Sequence, residues 1–125
     1  MIALVVFAIL AAIAYPAYTN QVIKARRADG HALLFTAAQR EQQFFTSNSA
    51  FTGTVGNGGL NISAASEEGY YTLTIATTGT PPTTYTLTAT RAASQTDDTR
   101  CGDLTLTHLG VKGNSGGSLP ASRCW

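Results

Sequence analysis

The stretch Met1 to Tyr18, MIALVVFAILAAIAYPAY, decides the fold of this 125-residue chain. From Met1 to Tyr15 no side chain carries a charge or a strongly polar group; Pro16 then interrupts, and the sequence turns polar at Thr19 and Asn20. The run is short for a bilayer span, which needs about 20 apolar residues. Three readings are open. It is the tail of a secretory signal cleaved near Ala12-Ile13-Ala14, a core helix buried on every face, or a truncated membrane helix that also packs on its own copies. The first lacks a basic start. The second asks the rest of a small chain to cover an all-round apolar helix. The third meets neither objection.

The helix continues beyond the run. Ala17 to about Phe45 is rich in Ala, Leu, Gln, Arg and Glu, with no proline from Val22 onward. Ile23, Leu34, Ala37 and Phe44 recur at helical spacing, and Leu33 widens the stripe. Gly30 reads as a weak point, costing about 1 kcal/mol relative to Ala. Pro16 removes a backbone hydrogen bond to Ala12 and predicts a kink there; the alternative is a helix that starts at Pro16. A helix from Met1 to Phe45 is about 65 Å long at 1.5 Å per residue. A globule of this size is narrower, so the apolar end must protrude. The division expected is an arm, residues 1–23, and a head, residues 24–125.

Thr46 to Glu68 reads as a linker punctuated by Gly53, Gly56, Gly58 and Gly59. It is anchored by Phe51, Val55, Leu60 and Ile62, and wraps the helix. Three strand signals follow. Tyr70 to Ala76, Tyr85 to Thr90 and Leu104 to Leu109 each alternate apolar residues with Thr. Thr78 to Thr83, TGTPPT, is a turn, and Ala92 to Arg100 a polar connection. The fold class expected is α+β, an antiparallel meander with one apolar face covered by the long helix. Gly110 to Trp125 is Gly- and Ser-rich, with Leu119 and Trp125 as its anchors.

Only 12% of residues are charged and the net charge is +1, so no global field draws the chain to nucleic acid. Residues 1–63 carry +2 and residues 64–125 carry −1. Catalytic chemistry is not legible. His31 and His108 read as surface or satisfied side chains, Asp97-Asp98 as a solvated turn, and the glycines of Gly56 to Gly59 precede no helix. No P-loop, GxSxG or HExxH occurs. The expectation is a chain that is not an enzyme and holds no cofactor and no metal. Cys101 and Cys124 stand without a CxxC, and neither histidine lies at ligand spacing from them.

The residues Ile9 to Tyr18, ILAAIAYPAY, resemble the N-terminal helix of type IV pilins. Lys24-Ala25-Arg26-Arg27-Ala28-Asp29, Ala32-Leu33-Leu34, Gln39-Arg40-Glu41 and Phe44-Phe45 extend the resemblance, toward the PilE-like branch. The chain departs from the pattern in two ways. It starts with apolar residues where the family has a phenylalanine-led segment containing a glutamate, behind a basic leader. It also has Ala8 where the family usually has glycine.

The resemblance implies a protruding helix on a β-meander, with a C-terminal loop tied by a disulfide. An exported segment favours a Cys101–Cys124 bond over two buried thiols, worth roughly 3 kcal/mol for a loop of that length. The implied function is a structural subunit of an extracellular pilus of Gram-negative bacteria, serving adhesion, twitching motility and DNA uptake. Such a subunit is anchored in the inner membrane before assembly and handled by the pilus assembly machinery. Its partners would be copies of itself and other pilins. Ile2, Leu4, Val5, Phe7, Ile9, Leu10 and Ile13 would pack in the filament core. Ala8, Ala12 and Pro16 would mark a kinked or melted segment. A rival reading is a competence-type minor pilin that binds DNA through Arg91, Arg100, Lys112 and Arg123; the acidic residues among these favour a solvated face instead. A weaker one is a secretion-system pseudopilin.

Overall fold

The computed structural model describes the backbone of all 125 residues, and every side chain except those of Tyr15, Pro16, Ala17, Thr19 and Ser94. One helix, α1 (Ile2–Asn48), leads into four strands, β1 (Tyr71–Thr78), β2 (Thr84–Arg91), β3 (Asp103–Thr107) and β4 (Lys112–Ser115). The strands form one antiparallel sheet in the order β1-β2-β3-β4.

At about 1.5 Å per residue, the 47 residues of α1 span about 70 Å. Its hydrogen-bonded assignment is unbroken through Ala8 and Ala12. Pro16, the expected kink, has a side chain outside the described residues. The helix ends three residues later than expected. Ser49 adopts a left-handed conformation, φ 56°, and its N–H donates to the Phe45 carbonyl at 2.7 Å, as helix C-terminal caps do.

The alternation read from the strands is the alternation of burial. Tyr71 and Leu73, then Tyr85, Leu87 and Ala89, then Leu104 and Leu106 face the helix and are buried, with Thr between them on the other face. From α1, Leu33, Leu34 and Ala37 close the core. The linker adds buried Phe51 and Leu60, with Val55 and Ile62 packed partly against it.

The helix stripe differs from the expected one in its chemistry. Its buried line runs Arg27, Gly30, Leu34, Ala37 and Glu41, with Leu33 beside it, alternating three and four residues apart as one helix face requires. Ile23 and Phe44 flank the line half-buried. Gly30 is a contact as well as a weak point of the helix. A Cβ there would lie 2.9 Å from the Tyr71 ring and 3.1 Å from Leu104. The missing side chain lets the sheet approach the helix.

The C-terminal stretch is also more ordered than a tail. Lys112–Ser115 pairs with β3, Leu106 opposite Lys112 and Asp103 opposite Ser115. Its sequence, KGNS, has no apolar alternation to announce a strand, and it lies at the sheet edge, where Lys is a usual resident. Cys101 and Cys124 form the disulfide, with Cα atoms 5.6 Å apart. Asn114 Nδ2 donates to the carbonyls of Cys101 and Leu119, both at 2.9 Å. Trp125 Nε1 donates to Gly113 O at 2.9 Å. Gly102, φ 66°, turns the chain where any side chain would overlap the Ser115 carbonyl.

Candidate functional site

Residues 2–14 of α1 are all exposed. Ile2 is 82% exposed, Phe7 71% and Ile13 69%, and Leu4, Val5, Ile9 and Leu10 are exposed with them. Among the described residues, no helix is long and apolar enough to cross a membrane. Contiguous apolar surface of this extent marks an interaction site.

The head is held to the helix by a buried polar cluster that reverses the expectation of a solvated Asp97-Asp98 turn. Asp97 is exposed, but Asp98 is buried and accepts two hydrogen bonds from the Arg27 guanidinium, at 2.6 and 2.8 Å. The Cys101 N–H donates to the same carboxylate at 3.2 Å. Burial pushes the Asp98 carboxyl up, but the bonds from Arg27 and Cys101 outweigh it and hold it below the usual range. The hydrogen bond to Asp98 in turn raises Arg27. Gln95 Nε2 reaches the Ile23 carbonyl at 3.2 Å and the Tyr71 hydroxyl at 3.0 Å. Burial pushes Tyr71 up to about 12.

Further along α1, Glu41 is fully buried. It accepts from the Thr52 N–H at 3.0 Å through one oxygen, while the other has no partner. Burial raises its pKa. Asp29 ties the other end of the linker, accepting from the Ser66 hydroxyl and from the Glu68 and Tyr70 N–H groups. His31 is satisfied: its Nε2 is 2.9 Å from the Cys124 carbonyl and its ring stacks on Trp125 at 4.5 Å. Burial lowers its pKa, and the charges of Lys112 and Arg27 lower it further. His108 is half-buried beside Tyr85 and Phe51.

The four basic residues singled out in the sequence meet different partners. Arg91 is held by Asp103, which accepts from its N–H and its Nε at 3.0 and 3.1 Å, and its Nη1 donates to Asp98 O at 2.8 Å. It is therefore a structural cation. Lys112 lies over the rings of Phe35 and Trp125, 5.7 and 5.6 Å from their centroids. Arg100 and Arg123 are exposed, and each precedes a bridged cysteine. With 3.8 Å per chain step, their Cα atoms are at most about 13 Å apart. Lys24, which sequence reasoning passed over, lines one small cleft with Arg100. Two of the acids that argued for a solvated face, Asp98 and Asp103, are consumed by Arg27 and Arg91.

A protruding apolar helix, an antiparallel sheet beneath its second half and a disulfide-tied C-terminus define a type IV pilin. A solved type IV pilin from Shewanella oneidensis superposes with a TM-score of 0.59 and 27% identity, covering 82% of this chain and 97% of that one. Residues 16–105 match the family described as type IV minor pilin ComP, DNA uptake sequence receptor, and the chain belongs to that family. No curated protein sequence matches at a significant level. The chain is thus a subunit of an extracellular type IV pilus, from a family that is structural rather than enzymatic.

Proposed function

We propose that this subunit assembles through its arm, residues 1–23, and that its head, residues 24–125, binds DNA. Burying some ten large apolar side chains at about 1.5–3 kcal/mol each corresponds to tens of kcal/mol. Before assembly that energy anchors the chain in the inner membrane, where the assembly machinery collects it. In the fibre it is recovered between arms, Ile2, Leu4, Val5, Phe7, Ile9, Leu10 and Ile13 packing against neighbours. Loss of part of the helical ladder around Ala8, Ala12 and Pro16 lets the arms adjust their register.

The observation carrying the DNA reading is the fate of the acids. With Asp98 and Asp103 bound to Arg27 and Arg91, Arg100 and Arg123 flank the disulfide, and Lys24 and exposed Asp97 line one cleft with Arg100. The family's description as a DNA uptake receptor supports the same reading. Phosphate contacts from these cations give affinity, and selectivity for one sequence needs contacts to base edges as well.

Binding of the full chain in detergent to duplex fragments of its host genome, against scrambled duplexes, tests this. A dissociation constant below about 1 μM at physiological salt exceeds the usual non-specific range. Arg100→Ala with Arg123→Ala should weaken it and flatten the salt dependence by about one unit per cation removed. Binding that is weaker than about 1 μM and blind to sequence leaves a purely structural subunit.

A further inference from the structure

The cleft that Lys24 shares with Arg100 lies at the border between arm and head. It measures about 70 Å³ and is lined by Lys24 and Arg27 from α1 and by residues 97–100 of the connection after β2. Two of its charges, Arg27 and Asp98, are spent on each other. Lys24 and Arg100 are exposed, and among the described residues neither has an ion-pair partner. Exposed Asp97 is the one acid of the lining left to oppose them. Two unpaired cations against one unpaired acid leave the cleft with a net charge of +1. Thr99 adds an exposed hydroxyl beside them.

The depth of this cleft along α1 is the second observation. Tyr18 closes the apolar run and is 69% exposed; tyrosines of this kind gather at membrane–water interfaces. Asn20, which also lines the cleft, stands about 3 Å further along the axis, and Lys24 about 9 Å, at 1.5 Å per residue. The headgroup layer on each side of a bilayer is about 5–8 Å thick. Helical side chains tilt toward the N-terminus, and a lysine stem lies along apolar surface while its ammonium stays in the polar layer. Lys24 therefore leans back toward the arm, and a chain anchored by that arm carries the cleft at the level of the lipid phosphates.

We propose that this cleft binds the phosphodiester of an anionic phospholipid headgroup before assembly, with Lys24 and Arg100 on the phosphate oxygens and Thr99 beside them. The inference rests on the proposed anchoring of the arm, and it adds an order of events to the proposed DNA binding. Lipid covers Lys24 and Arg100 while the subunit sits in the bilayer, and withdrawal into the fibre uncovers them for the phosphates of DNA. Headgroup and DNA backbone present the same phosphodiester; insertion of the arm brings only the headgroup to the cleft.

The test dilutes the full chain from detergent into vesicles of phosphatidylcholine, with or without phosphatidylglycerol, and measures the bound fraction by flotation. Phosphatidylglycerol should raise the partition, and Lys24→Ala and Arg100→Ala should each remove about fivefold of that gain. Arg40→Ala, the same loss of charge about 24 Å further along α1, should leave the gain nearly intact. Equal losses from Arg40→Ala and Lys24→Ala would show diffuse attraction and overturn the site. Inorganic phosphate, at matched ionic strength, should compete poorly; abolition of the gain by it would make this a site for dissolved anions and overturn the headgroup. Normal entry into neutral vesicles with no gain from phosphatidylglycerol would overturn the site and leave the arm's anchoring and the DNA reading standing. No entry into either kind of vesicle would overturn the anchoring, and this site with it.

Discussion

The two halves of α1 invert the usual rule. The first half is apolar and lies in solvent; the second half carries charges and buries two of them, Arg27 and Glu41. One helix has two environments because only the second half has a sheet beneath it. The exposed half is stable only when something else covers it. The buried half is held in register by groups that tolerate one geometry. That difference supports the proposed division of labour, association by the arm and fixed shape in the head.

The sharpest way to break the head's side of the comparison is to strip one partner from Arg27. Asp98→Ala leaves a buried guanidinium uncompensated and should cost about 3–5 kcal/mol, read by denaturant unfolding in detergent. Replacing the pair together by Met and Leu should cost far less, since matched apolar groups remove the stranded charge. Reducing the Cys101–Cys124 bond comes next, at about 3 kcal/mol, and should loosen Trp125 from Gly113. Gly30→Ala sets two effects against each other. Helix propensity gains about 1 kcal/mol, while overpacking against Tyr71 costs about 1–3 kcal/mol. A net loss of about 1 kcal/mol is expected, and a gain would show that the ring has room to move.

Acid provides a smaller lever on the same comparison. The Asp98 carboxyl is held below its ordinary value of 3.8. Its contribution is therefore complete above that pH and is lost as pH falls through the lowered value. Glu41 has the opposite sign. Its pKa is raised above 4.5 by burial, so it costs stability at neutral pH and recovers it on protonation. Glu41→Gln should raise stability slightly at about pH 7 and remove that recovery, read as a flatter unfolding midpoint as pH falls through the raised value.

Much of this plan is legible in the chain. The arm, the helix and three of the strands follow from apolar runs and alternation, because those patterns are set by the same burial they produce. What escaped is what depends on partners distant in sequence. Arg27 and Asp98 are 71 residues apart, and nothing local distinguishes buried Asp98 from exposed Asp97. Arg91 reads as a free cation until the β2–β3 register places Asp103 beside it. The edge strand β4 has no alternation to read. Gly30 announces a helix defect in sequence and proves to be a point of close helix–sheet approach. The same limits apply to the basic surface, whose membership changes once the internal ion pairs are known.

The role of the arm is tested most directly by removing residues 1–23 and measuring the mass of the remaining chain by sedimentation, beside the full chain freed of detergent. The account predicts a monomer of residues 24–125 and large polymers of the full chain. A truncated chain that still forms large polymers would contradict it, placing the driving contacts in the head and leaving the exposed arm without its assigned purpose.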